Sequence, residues 1–282
     1  MTAETADTLP PLARLPRVQA ALNFVVDTGE KPVNIPSQPG GDAGINLGSY
    51  ATHLVAIHDA RPLAGGLSLD REGFALAHAE TAMTDFFDPD KVREVYNPKI
   101  ERLVCAATGA RRAVVFDHTL RADSESTRRE KKVREPVQRV HNDYTVRSGP
   151  QRVRDLFPPA EAEALLLHRF AIVNVWRSIR GAVETMPLAL CDARTVAPGD
   201  LVASERRARD RVGETYRVQF NPAQRWFYFP HLRMDEAVLI KSYDAATDGR
   251  ARFAPHTAFE DPNTPASAAP RQSMESRLFA FF

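Results

Sequence analysis

An imidazole and a carboxylate stand two residues apart, as His141 and Asp143, in the run Arg139-Val140-His141-Asn142-Asp143-Tyr144-Thr145. In a strand, residues i and i+2 point to the same face. Both side chains can therefore converge on one ion, with Asn142 turned away. A second histidine from a distant strand would complete a set of two histidines and one carboxylate. Such a set fills one face of an octahedral Fe(II) and leaves the remaining positions open. His-x-Asp alone is common by chance, and the residues downstream give it meaning.

Two histidines are candidates for the third ligand. His231 follows Pro230 in Phe229-Pro230-His231-Leu232-Arg233, a turn position. His256 lies in the extended segment from Ala251 to Phe259 and is the better candidate. His53, His58, His78, His118 and His168 lie mostly upstream and read as structural or surface groups. For His118 alone, contact with substrate is left open as the lesser alternative. The last segment, Arg271-Gln272-Ser273-Met274-Glu275-Ser276-Arg277, puts Arg271, Ser273, Glu275 and Arg277 on one strand face. An inward guanidinium is costly without an anion, and its fork matches a carboxylate. 2-Oxoglutarate has two carboxylates. One chelates iron together with the keto group, and the other needs such a clamp. Arg271 is expected to hold it, with Arg277 or Lys241 nearby; the bland alternative is that an arginine pairs with Glu275.

These residues need a scaffold of strands. The chain has 282 residues, 43% hydrophobic and 26% charged, enough for one large domain. A net charge of +1 gives no nucleic-acid footprint. The basic run Arg128-Arg129-Glu130-Lys131-Lys132-Val133-Arg134 reads as a solvated loop or helix face. Cys105 and Cys191 form no CxxC, so neither a zinc ribbon nor a disulfide framework is signalled. A reduced, cytoplasmic setting is expected. No run of about 18 apolar residues suggests a membrane span. Residues 1–16 carry no apolar signal region and are expected to be a flexible lead.

Strands are expected over Val18–Val26, Thr52–Asp59, Ala113–Phe116, Ala171–Trp176, Leu188–Cys191 and Tyr216–Phe220. Further strands are expected over Trp226–Phe229, Ala237–Tyr243, Phe253–Phe259 and Met274–Phe282. A helix is expected from Asp90, with Asp88 as N-cap, Ile100, Leu103, Val104 and Ala107 as its apolar stripe, and Gly109 as C-cap. A second helix is expected over Pro158–His168. The fold class is mainly β with flanking helices around a double-stranded β-helix, a jelly-roll, cupin-like core. Residues 17–282 are expected to form a single domain, with 17–110 as an α/β cover and 111–282 as the jelly roll.

The blocks His141-Asn142-Asp143-Tyr144-Thr145, Asn174-Val175-Trp176-Arg177, Asp235 to Asp244, Pro255 to Pro262 and Pro270 to Arg277 together carry a resemblance. Arg-x-Ser some fifteen positions after the distal histidine is similar to the cosubstrate motif of Fe(II)/2-oxoglutarate dioxygenases. More closely, the chain resembles the CmcJ/NvfI-like oxygenases, a family that includes gibberellin desaturases and biosynthetic oxygenases. The likeness spans most of the chain. Ser178 stands where the family pattern has Pro. The resemblance implies Fe(II) on His141, Asp143 and His256, and 2-oxoglutarate on Arg271 with Ser273, Arg277 and Arg177. It also implies O2, a small natural-product-type substrate, and hydroxylation, desaturation or a related oxidation. It tips Lys241 from edge gatekeeper toward a functional role. Arg177 is either a carboxylate clamp or half of a surface ion pair. Tyr144 either reaches the site or packs. No nucleic-acid or membrane partner is expected, and a homodimer is left open. Two other readings remain: a jelly-roll metalloenzyme that does not use 2-oxoglutarate, and a non-catalytic small-molecule-binding protein.

Overall fold

Burial alternates along the first strand: Val18, Ala20, Leu22 and Phe24 point into the core while Arg17, Gln19 and Ala21 face out. A half-buried strand requires this period of two. The computed structural model describes residues 12–208 and 211–282. The larger sheet has ten strands. From edge to edge they are β1 (Arg17–Val26), β4 (Ser49–Asp59), β12 (Trp226–Tyr228), β9 (Leu188–Cys191), β14 (His256–Ala258), β7 (His141–Asn142), β11 (Arg211–Val218), β10 (Leu201–Ala208), β2 (Val33–Ile35) and β3 (Ile45–Leu47). The smaller sheet runs β5 (Phe74–His78), β13 (Glu236–Asp244), β8 (Phe170–Ser178), β15 (Gln272–Phe281) and β6 (Arg112–Ala122). The architecture is mainly β, with two facing sheets of a jelly-roll core and flanking helices.

Strands β8, β13 and β15 are buried along their whole length, because both faces of the smaller sheet are covered. On one face, Val173 and Val175 pack against Ile100 and Val104 of helix α2 (Asn97–Thr108). On the other, Trp176, Val238 and Ile240 meet Leu190 and Phe227 of the larger sheet. Asp88 caps the short helix α1 (Pro89–Lys91) by accepting from the Asp90 and Lys91 amides. Gly109 closes α2 at φ 74°, a left-handed position that glycine takes without strain.

The N-terminal third adds flanking strands: β1 and β4 continue the larger sheet and β5 pairs with β13 of the smaller. Within the expected lead, residues 1–11 lie outside those described, and Leu15 is buried in the core. Several elements depart from expectation. Strand β6 continues six residues beyond Phe116, to Ala122. The hairpin β10–β11 begins at Leu201, in a stretch too charged to show apolar alternation. Helix α4 (Ser148–Leu156) follows the His-x-Asp run, ahead of α5 (Pro159–Leu166). The basic run lies partly on a further short helix, α3 (Glu125–Lys131). No helix among the described residues is long and apolar enough to cross a membrane.

Candidate metal and cosubstrate site

His141 in β7 and His256 in β14 are direct partners across an antiparallel pair, so both rings leave the same face. Their centroids are 4.6 Å apart. Asp143 lies just past the two-residue β7, and its Oδ1 is 3.6 Å from His141 Nε2. One ligand atom from each of His141, Asp143 and His256 falls within 4.8 Å of the others. Backbone carbonyls fix both rings: Nδ1 of His141 lies 2.8 Å from the Arg139 oxygen, and Nδ1 of His256 lies 3.1 Å from the Ala254 oxygen. A ring that donates from Nδ1 presents its Nε2 lone pair, as a metal ligand must. His256 Nε2 is buried and has no hydrogen-bond partner, which is costly unless an ion takes it. Burial, helped by His256, holds the His141 pKa well below its usual value.

The carboxylate is oriented by a buried network. Asp143 Oδ2 accepts from Arg277 Nε at 2.7 Å and from Asn174 Nδ2 at 2.7 Å. Asn174 also donates to Glu275 Oε1 at 2.9 Å. Arg277 donates further to Glu275 Oε2 at 2.5 Å, to Asp117 Oδ2 at 2.8 Å and to Thr119 Oγ1 at 3.1 Å. Burial alone would raise the Asp143 pKa. The Arg277 guanidinium and the two histidines outweigh it and hold the carboxyl well below the usual range. Four of the five Arg277 donors are thus spent on this network. The expected role of Arg277 as a cosubstrate clamp gives way to one of positioning Asp143, because its fork is already filled by protein carboxylates.

Arg271, just before β15, has the opposite character. It is buried; its Nη1 donates to the Met186 carbonyl, and its guanidinium lies over Trp176 at 5.3 Å. Its Nε has no partner, nor does the buried Ser273 Oγ on the same strand face. Burial, with Arg121 adding repulsion, lowers the Arg271 pKa to about 9. A guanidinium buried without a carboxylate is unfavourable in the empty fold, and a bound anion would relieve it. The residues present therefore fit both an Fe(II) ion and a dicarboxylate cosubstrate.

A family model described as oxidoreductase/YMDC permease-like domain matches residues 22–281. The hydroxylase/desaturase efuI of Hormonema carpetanum is 30% identical over 95% of this chain and 96% of its own. The Fe(II)/2-oxoglutarate-dependent dioxygenase nvfI of Aspergillus novofumigatus is 30% identical over 83% of this chain and 84% of its own. The solved structure of the iron and alpha-ketoglutarate-dependent endoperoxidase NvfI superposes with a TM-score of 0.81 at 28% identity, covering 94% of this chain and 98% of that one. The chain belongs to the CmcJ/NvfI-like Fe(II)/2-oxoglutarate-dependent oxygenases.

In this CmcJ/NvfI-like chain, two expected site residues lie elsewhere. Arg177 donates to the carbonyls of Ala79 and Met234 and sits between the rings of Phe86 and Tyr96, at 5.5 and 5.6 Å. Asn174 and Trp176 face inward, so alternation along β8 turns Arg177 to the helix-covered face. Lys241 is buried, and its ammonium binds Asp70 and, at 2.9 Å, Asp244. That pair ties the turn before β5 to β13. The functional reading of Lys241 gives way to a structural one, because its ammonium is already paired with Asp70 and Asp244. Lys241→Met should lower unfolding stability by about 3 kcal/mol, the usual cost of stranding buried partners. It should leave iron retention unchanged; denaturant unfolding and metal analysis on one preparation check both.

Tyr144 lines the cavity beside the triad and packs edge-on against Phe116, and burial pushes its pKa up to about 12. His118 lines the same cavity, with its Nδ1 2.8 Å from Ser276 Oγ. His231 sits in a turn at φ 48°, apart from the triad. Sequence reasoning passed over Asn174 as a ligand-orienting residue and also missed Arg121. Arg121 is the direct β6 partner of Ser273, on the same inward face. Its signal was hidden because Asp117–Ala122 looks like a charged loop.

Proposed function

We propose that this chain is an Fe(II)/2-oxoglutarate-dependent oxygenase that oxidises a C–H bond of a small, natural-product-type molecule by hydroxylation, desaturation or a related reaction. The observation that carries this reading is the convergence of His141, Asp143 and His256, in a fold whose inward strand face also holds a buried, anion-deficient Arg271. Relatives named hydroxylase/desaturase and a neighbour named endoperoxidase support the range of outcomes. When bound, Fe(II) with 2-oxoglutarate and O2 supplies the oxidising power that removes hydrogen from an unactivated C–H bond.

The protein's part is to bind, orient and shield. His141 and His256 would hold the iron through Nε2, their tautomers set by the Arg139 and Ala254 carbonyls. Asp143 would supply the third ligand, kept ionised by Arg277 and aimed by Asn174. Arg271 and Ser273 would take the remote carboxylate of 2-oxoglutarate. The cavity of about 780 Å³ that opens on His141, Asp143 and Tyr144 would admit the substrate.

The cosubstrate assignment has a direct test. Arg271→Ala should weaken 2-oxoglutarate binding at least tenfold, about 1.4 kcal/mol, and leave iron affinity nearly unchanged. Arg271→Lys should restore only part, because lysine keeps the charge and loses the fork. The measurement is 2-oxoglutarate consumption and succinate formation against cosubstrate concentration. An unchanged half-saturation in Arg271→Ala would move the clamp elsewhere, with Arg121 next in line.

A further inference from the structure

The cavity above the triad holds cations that its own acids do not answer. Arg211 is matched by Asp155 at 2.9 Å, and Arg277 by three carboxylates. Arg206 is not matched. It lines the cavity from β10 and, among the described residues, makes neither a hydrogen bond nor an ion pair. Its direct partner on β11 is Gly213, over which the Arg211 guanidinium lies, so no acidic side chain faces Arg206 across the pair. Gly213 and Arg217 share a strand face, and Arg217 is the partner of His141. Arg206 therefore rises on the same face as the proposed iron ligand. Its surroundings are low in water: burial, with Arg277 and Arg134 adding repulsion, lowers its pKa to about 10.

The neighbours deepen the imbalance. Arg217 donates to the neutral Asn46 Oδ1, and its Nε has no partner. Arg134 lines the same cavity with a buried, unpartnered Nε. Unpaired guanidinium groups held out of water cost stability unless a ligand brings the anion. Arg271 does not line this cavity, so the cosubstrate clamp and these arginines are separate groups.

We propose that the substrate carries a carboxylate, bound in the open cavity by Arg206 with Arg134 in support. This rests on the oxygenase reading above and adds the substrate class to it. A single planar fork fits one carboxylate. Asp117 and Glu214, which also line the cavity, would disfavour a doubly charged phosphate.

The test uses the full chain loaded with Fe(II) and 2-oxoglutarate without O2. Calorimetry compares 1-naphthoate, the neutral 1-naphthamide and 1-naphthyl phosphate, while the visible band of the iron–2-oxoglutarate complex is recorded. Naphthoate should bind at least tenfold more tightly than the amide and more tightly than the phosphate, with the band retained. Arg206→Ala should erase the preference for the acid, and Arg206→Lys should keep part of it. Because Arg206 has no hydrogen-bond or ion-pair partner among the described residues, Arg206→Ala should melt no lower than the wild-type chain. Equal binding of acid and amide, undetectable naphthoate binding, tighter phosphate binding or an unchanged preference in Arg206→Ala would each overturn the proposal. So would loss of the band on adding naphthoate, which would place Arg206 in the cosubstrate site, or a lowered melting temperature, which would make it structural. A wild-type chain that never forms the band would defeat the oxygenase reading instead, while the ratio of acid to amide affinity still reads the clamp.

Discussion

His256→Ala should strip the chain of Fe(II), weakening retention by more than about 100-fold. Changes to groups that only orient a ligand commonly cost 10–100-fold, and loss of a ligand atom should exceed that. The imidazole is placed by the pairing of β14 with β7, its Nε2 is buried without a hydrogen-bond partner, and a ring nitrogen lies within 4.8 Å of the other two ligand atoms. His141→Ala and Asp143→Ala should behave alike, since each leaves two protein ligands. His231→Ala should retain iron, because His231 occupies a turn away from the triad. Metal analysis after gel filtration under reducing conditions decides this. Iron lost from His231→Ala and kept by His256→Ala would show that the third ligand is misassigned.

Arg277→Ala should damage both stability and metal binding. The guanidinium stands among Asp143, Glu275 and Asp117, so its removal leaves three carboxylates in or near the core with one cation fewer. Breaking a buried pair from one side typically costs 3–5 kcal/mol, and about 4 kcal/mol is expected here. The sign of the pH effect follows from Asp143. Its folded-state pKa is depressed, so its contribution is fully present above the unfolded value of about 3.9 and is lost as pH falls through the folded value. Without Arg277, burial acts with less opposition and raises the carboxyl pKa. Iron retention in Arg277→Ala should then fail at a higher pH than in the wild-type chain. Denaturant melts and iron binding followed from neutral to acid pH measure the two effects. Coincident pH profiles would remove Arg277 from the positioning of Asp143.

Local signals carried much of this into the sequence. Two residues of β7 suffice to place His141, and the i, i+2 spacing to Asp143 survives although Asp143 lies just past the strand. The stripe of Ile100 and Val104, the Asp88 cap and Gly109 all specify α1 and α2 through short-range chemistry. Leu188–Cys191 reads directly as a strand because its residues are apolar and β-compatible. Trp226, Phe227 and Tyr228 are core, as a run of aromatics between turns suggests. The charged inner wall was hidden. Strand β10 reads Leu-Val-Ala-Ser-Glu-Arg-Arg-Ala, where inward Arg206 breaks the apolar alternation that marks a strand. The second half of β6 did the same to Asp117, Thr119 and Arg121. A polar cavity lining looks locally like a solvated loop, and only pairing with distant strands shows otherwise. Arg177 went astray for another reason: its position after Trp176 suggested the site, while parity along β8 with Asn174 points it the other way.

The most direct measurement is an anaerobic titration of the metal-free chain with Fe(II) and then 2-oxoglutarate, followed by visible absorbance. A charge-transfer band that needs both, saturates with equimolar iron and cosubstrate, and weakens in Arg271→Ala is the expected result. Tight Fe(II) binding without that band, and without succinate once O2 is admitted, would contradict the account.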